Sequence, residues 1–188
     1  LYLPTSVAGN VGVCMGDKVV VYVRNELEDG SATSIHWHGL NQFNTFHMDG
    51  VGLLTQCNIP YKETFRYKFT AYPAGTHWYH SHTGMQIGDG LLGASIVREP
   101  AKRDPVGTLY DVDSSDHILV LQDFLDYLTI TRYMNEMHNL WEVTMPIAGE
   151  RYDIVITTNQ NSGNFWIKCQ GLVDCAPSDG HASAILRY

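Results

Sequence analysis

The chain is short of positive charge. Its 188 residues hold 12 Lys plus Arg against 20 Asp plus Glu, a formal net charge of −8. An acidic surface repels phosphate backbones and anionic lipid headgroups, which argues against nucleic acid or anionic membrane as a partner. Long apolar runs are also missing: nothing approaches the ~18 consecutive apolar residues of a spanning helix, so no membrane span is expected. Charged residues are scarce at 17% while hydrophobic residues reach 44%, the reverse of a disordered chain. The four cysteines, Cys14, Cys57, Cys169 and Cys175, include no C-x-x-C pair, which removes support for zinc-ribbon and thioredoxin-like chemistry. Their even number points to two disulfides in an oxidising compartment, with three pairings open and buried free thiols as the alternative. Residues 1–10 lack the basic start and apolar run of a secretory leader, so a secreted form would have lost one.

What the chain does have is β-type patterning. Residues 64–70 alternate aromatic and polar side chains at period two, the pattern of a strand with one buried face, and residues 18–24 are dense in β-branched residues after a Gly16–Asp17 turn. Further strands are predicted over 34–38, 76–80, 91–97, 117–122, 152–158, 164–168 and 182–187, separated by Gly, Pro, Asn and Asp clusters. Residues 126–140 are ambiguous, and no long helix is predicted. Many short strands with turns between them predict an antiparallel sandwich or barrel. The proline- and charge-rich stretch 99–105 and the acidic stretch 111–116 read as a surface connector. They divide the chain into domains 1–105 and 106–188, the second small for an independent sandwich.

Nine histidines supply the chemistry. Ile35-His36-Trp37-His38-Gly39 and Gly75-Thr-His77-Trp-Tyr-His80-Ser-His82 each carry His-x-His in a strand-like setting. Residues i and i+2 of a strand project from one face, so each pair presents two imidazoles to one volume. Imidazole donors suit Cu, Zn, Fe and Ni, and the lack of carboxylates beside these pairs disfavours Mg and Ca. His36, His38, His80 and His82 are therefore the candidate metal ligands. His77 is out of phase with His80 and is expected to face the other way, while His47, His117, His138 and His181 are isolated and read as structural or solvent-facing. Trp37, Trp78 and Tyr79 are expected to pack the core and shield the histidines from water. Gly149–Asp153 reads as a turn entering a strand, and Gly84–Gly88 as a loop.

These residues carry a resemblance. His36-Trp-His-Gly39, Met48-Asp-Gly50, Thr55-Gln-Cys57, Phe65-Arg-Tyr67 and Gly75-Thr-His-Trp-Tyr-His-Ser-His-Thr-Gly84, followed by Gly149-Glu-Arg-Tyr-Asp153, closely resemble the multicopper oxidases, and the pattern looks most like invertebrate laccases. The resemblance implies an all-β fold of cupredoxin-like Greek-key β-sandwiches, here one near-complete domain plus a shortened second. It implies a copper-dependent oxidase of the laccase type, which takes electrons one at a time from diphenol-like donors and reduces O2 to water. By position, His36 would bind a type 2 copper, and His38, His80 and His82 the type 3 pair of a trinuclear cluster. Asp49 would be the catalytic acid that supplies protons, its alternative role being a simple turn residue.

The resemblance is also incomplete. The family's other four cluster histidines, in His-Pro-x-His-Leu-His and His-Cys-His motifs, are not present. No cysteine here has an adjacent histidine, so the type 1 site, a thiolate with two imidazoles, is not in this sequence. Only residues 131–146 stand where family second domains carry several strands. The chain reads as a fragment, a spliced form or a partial sequence, its cluster completed by a missing third cupredoxin domain or a second chain. A non-enzymatic copper carrier or structural cupredoxin protein, and a ferroxidase-like relative, are the alternatives. Secretion to the extracellular space is the implied localisation.

Overall fold

The computed structural model describes residues 9–122, 128–129, 149–170 and 181–187, and among these it is built almost wholly of strands and loops. Six strands form the amino-terminal unit: β1 (Val11–Cys14), β2 (Lys18–Arg24), β3 (Ile35–His38), β4 (Thr64–Thr70), β5 (Gly75–Ser81) and β6 (Leu92–Arg98). One sheet runs β1-β6-β5-β3, and β2 pairs with β4 in a second. β1 lies parallel to β6, and the other pairings are antiparallel. A separate compact unit, 154–188, holds the antiparallel hairpin β7 (Asn164–Gln170) and β8 (His181–Arg187).

Period-two alternation decides which side chains meet between the two sheets of the first unit. In the β2–β4 ladder the inward residues face each other as Val19–Phe69, Val21–Tyr67 and Val23–Phe65, with Tyr67 and Phe69 buried. On β3 the inward residues are Ile35 and Trp37, and on β5 they are His77 and Tyr79, all buried. Trp37 joins the sheets: its ring centroid lies 5.5 Å from Tyr67, 5.0 Å from Phe69 and 5.6 Å from Tyr79. Aromatic rings at those separations gain edge and offset contacts beyond the area they bury. The Tyr67 hydroxyl accepts the Ile35 backbone N–H at 2.9 Å, so the start of β3 is tied to the opposite sheet.

The β-rich expectation holds for most elements and fails at three. Residues 117–122 and 152–158 form no strand. Their β-branched residues stay exposed, Val120, Ile154 and Val155 among them, because strand propensity is expressed only against a pairing partner and a covering face. Val11–Cys14 was not among the expected strands, being too short for its alternation to register. Cys14 and Cys57 are both free and exposed, so the expected disulfides do not join these two. Cys175, the Cys169 side chain, His138, the His181 side chain and the ambiguous stretch 126–140 lie outside the described residues, apart from 128–129. Among the described residues no helix is long and apolar enough to cross a membrane.

Candidate metal centre

The face of β3 and β5 opposite the core carries the histidines. Their antiparallel register sets His36 against His80 and His38 against Trp78. Alternation then places His36, His38, Trp78 and His80 on one side of the sheet, with Trp37, His77 and Tyr79 on the other. One ring nitrogen from each of His36, His38 and His80 can be chosen so that all three lie within 4.8 Å of one another. His80 is buried, and His36 and His38 are half-buried. His82, just past the end of β5, stands exposed at the rim, its ring 5.5 Å from His36 and 6.1 Å from His80. The structure thus brings together the four histidines singled out by sequence, three as a close triad and one at its edge. His77 points into the core, as its phase requires.

Main-chain carbonyls assign the ring nitrogens. His36 Nδ1–H donates to the Asp49 carbonyl at 2.8 Å, and His80 Nδ1–H donates to the Ser81 carbonyl at 2.8 Å. A carbonyl only accepts, so in both rings Nδ1 carries the proton and Nε2 keeps its lone pair. His38 is turned the other way, with Nδ1 3.4 Å from His80 Nε2. Two imidazole nitrogens facing at that distance share either a proton or a cation. Burial pushes the His80 imidazole down to about 4, and the neighbouring His36, His38 and His82 push in the same direction. Burial likewise lowers His38, with His36 and Arg151 adding to it. Neutral imidazoles are the ligand form, so this set suits a soft-to-borderline metal such as copper.

Asp49 ends a short 3-10 turn, Phe46–Met48. Besides its carbonyl contact, its carboxylate Oδ1 lies 3.5 Å from His36 Nδ1, so the acid expected from sequence sits beside the triad. Gly50, with φ +80, makes this approach possible: a Cβ there would overlap the Ile35 carbonyl. Gln86, not predicted to matter, holds the other end of the site. It accepts from the Ser81 hydroxyl at 2.6 Å and the Thr33 hydroxyl at 2.8 Å, and donates to the Ala32 carbonyl at 2.9 Å. With the His82 N–H bonded to the Ser34 carbonyl at 2.9 Å, it fixes where the chain leaves β5. Trp78 walls the triad, its ring 4.3 Å from His80 and 5.1 Å from His38. Isolated His47 lies away from the triad, in a surface cavity of about 430 Å³ with Lys18, Arg66 and Lys68, and isolated His117 sits in a separate 3-10 turn.

A sandwich with histidines paired across adjacent strands on its outer face can hold a transition metal such as copper, and comparison with known proteins gives the class. The sequence model of the multicopper oxidases matches residues 5–102, and a second multicopper oxidase model matches 143–188. The chain belongs to the multicopper oxidase family, and its fold is of the cupredoxin type. It is 43% identical to Laccase-2 of Fomitopsis schrenkii over 113 residues, 58% of this chain and 21% of that protein. It is 28% identical to Laccase-1 of Botryotinia fuckeliana over 245 aligned positions, 92% of this chain and 42% of that protein. Among solved structures it resembles Fet3p, a multicopper oxidase that functions in iron import, with a TM-score of 0.51 and 40% identity over 58% of this chain and 20% of that one. The chain therefore spans less than half the length of these relatives.

Proposed function

We propose that the chain supplies half of the trinuclear copper site of a laccase-type oxidase, which couples one-electron oxidation of diphenol-like donors to four-electron reduction of O2 to water. The observation that carries this reading is the triad itself, three imidazoles with ligand nitrogens within 4.8 Å and two of them already locked in the ligand tautomer. In the proposal His36 holds the type 2 copper, and His38, His80 and His82 hold the type 3 pair. The remaining ligands and the type 1 site come from a third cupredoxin domain or a second chain. On this reading residues 1–105 are the first cupredoxin domain and 106–188 part of the second. Bound copper supplies the redox chemistry and the site where O2 is reduced. The chain's own residues have narrower tasks. The Asp49 and Ser81 carbonyls aim two rings, Trp78 keeps water from one flank, and the Asp49 carboxylate passes protons, which reduction of O2 to water consumes one per electron.

Secretion belongs to the same proposal, with Cys14 and Cys57, free in this structure, paired with Cys169 and Cys175 in the secreted full-length protein; alkylation under denaturation without reductant should then leave these four cysteines unlabelled. The main test is copper content and oxidation of a diphenol and of ferrous ion by the full-length protein, beside His36→Ala and His80→Ala. Copper bound with diphenol oxidation is expected of the parent, with copper content lowered and oxidation lost in each variant. Oxidation that persists without copper overturns the reading, and copper without any oxidation turns it into a carrier.

A further inference from the structure

His36 and His80 are each aimed by a carbonyl, but no such bond to His38 is present among the described residues. What holds its ring lies on the side away from the triad. There the backbone of Gly149 closes against it: a Cβ on Gly149 would stand 3.1 Å from His38 Nε2, 3.2 Å from Cε1 and 3.8 Å from the Trp78 ring. Gly149 is held in turn by Arg151. The guanidinium donates through Nη1 to the Gly149 carbonyl at 2.9 Å and through Nε to the Thr76 carbonyl at 2.9 Å. Thr76 shares the outward face of β5 with Trp78 and His80, and its hydroxyl donates to Asp153 Oδ1 at 2.6 Å. The third guanidinium nitrogen, Nη2, sits in a notch that exists because residue 39, next to His38, is glycine: a Cβ there would lie 3.0 Å from Nη2 and 2.6 Å from His77 Nδ1.

We propose that Arg151 is a positioning residue for His38, acting through Gly149, so that the Gly149–Asp153 segment fixes the direction of the His38 ligand nitrogen. The inference rests on the copper-ligand reading of the triad. It corrects the expectation that this segment is only a turn leading into a strand: no strand follows, and the segment is fastened sideways to β5. The planar fork of arginine spans two carbonyls on different segments, which a single lysine ammonium does not reproduce. Groups that orient metal-ligating histidines change metal affinity by roughly 10- to 100-fold when removed. Arg151 is exposed, so its loss need not unfold the sandwich.

The test uses the full-length protein with Arg151→Met, Arg151→Lys and Gly149→Ala, and with Tyr152→Phe as a control, because the Tyr152 hydroxyl bonds only Glu150 within the segment. Copper affinity is read by competition with a chelator. The metal-free protein is followed by NMR of the three imidazoles and of the Gly149 α-proton contact to the His38 ring. In Arg151→Met the contact to His38 should vanish and copper should bind about 10-fold more weakly, with His36 and His80 signals and the thermal midpoint matching Tyr152→Phe. Gly149→Ala should move the His38 signals alone, and Arg151→Lys should stay close to Arg151→Met. Unchanged His38 signals in Arg151→Met, or equal shifts of all three rings with a lowered midpoint, overturn the proposal. Should the parent bind no copper, the ligand reading fails by itself and the NMR contact still decides whether Arg151 holds His38.

Discussion

Gly50→Ala tests how the triad is built. Gly50 is buried with φ +80, and a methyl group there would overlap the carbonyl of Ile35 and come 2.9 Å from the His36 backbone nitrogen. These are backbone atoms of β3, not the yielding end of a side chain, so the loop itself must move. The left-handed conformation costs alanine about 1 kcal/mol. Moving the loop removes the His36–Asp49 bond, worth about 1 kcal/mol, and the remaining overlap adds about 2 kcal/mol, as overpacking of a fitted site does. The sum, about 4 kcal/mol, corresponds to a fall in Tm of about 8–16 °C for a chain of this size. Gly30→Ala separates the two causes, because Gly30 has φ +75 but nothing within 4 Å of its missing Cβ. It should lose only the backbone share, about 1 kcal/mol, or about 2–4 °C. Both variants are compared with the parent by thermal unfolding followed in the far ultraviolet, without metal, and by copper titration afterwards. Gly50→Ala should also weaken copper binding about 10-fold, since the freed His36 ring no longer presents Nε2. Equal losses in the two variants would refute the close approach of residues 49–50 to β3, and with it the account of how His36 is aimed.

Three further outcomes are expected. Gln86→Ala removes the acceptor shared by the Ser81 and Thr33 hydroxyls and the donor to Ala32, costing about 2–3 kcal/mol in urea unfolding and broadening the NMR signals of His82 more than those of His36. Tyr67 is fully buried, and burial raises its phenol above the ordinary value of 10. The unfolded chain therefore gives up that proton first, so stability is intact below pH 10 and falls as pH rises beyond it. Tyr67→Phe should flatten that alkaline slope while costing about 1–2 kcal/mol at pH 7, where it strands the Ile35 N–H. His80 has the opposite sign: its imidazole stays neutral in the fold down to about pH 4, whereas the unfolded chain protonates near pH 6.5. Metal-free protein should keep full stability above pH 6.5 and lose it toward pH 4, by about 1 kcal/mol at pH 5 after solvent screening. A urea midpoint unchanged between pH 7 and pH 5 would contradict the burial of this ring.

Much of this fold is written in periodicity, because a sandwich repeats one local rule. The alternation over 64–70 names Tyr67 and Phe69 as the inward side chains, and the same rule puts the two partners of each His-x-His on one face. Rules of that kind stop at the strand. Residues 117–122 and 152–158 have the composition of strands and lie unpaired, since pairing depends on distant residues. The site divides along the same line. The four histidines are legible as local pairs, and Asp49 is legible through its motif. That the Asp49 carbonyl, not only its carboxylate, serves His36 is not legible, because every residue carries a carbonyl. Gly149 and Arg151 were visible as residues but not as neighbours of His38, since that contact joins β3 and β5 to a segment far along the chain.

The division of labour around the triad follows from which groups titrate. A carboxylate that aims a histidine changes its own charge with pH, and a metal site oriented in that way would loosen on acidification. The Asp49 and Ser81 carbonyls have no proton to gain in this range, so the tautomers of His36 and His80 are fixed for as long as their rings remain neutral. Burial extends that range for His80 by making its protonated form costly. The Asp49 carboxylate, 3.5 Å from His36 Nδ1, is thereby relieved of the aiming role, which the carbonyl of the same residue performs. His38 differs because its Nδ1 faces His80 Nε2 at 3.4 Å, so the nitrogen that a carbonyl would otherwise hold is the one turned toward the other histidines. Its orientation must come from packing on its far side, where Trp78 and Gly149 stand. His36 opposite His80 thus gives two imidazoles held by main-chain carbonyls, those of Asp49 and Ser81, and a third, His38, braced by packing against Gly149.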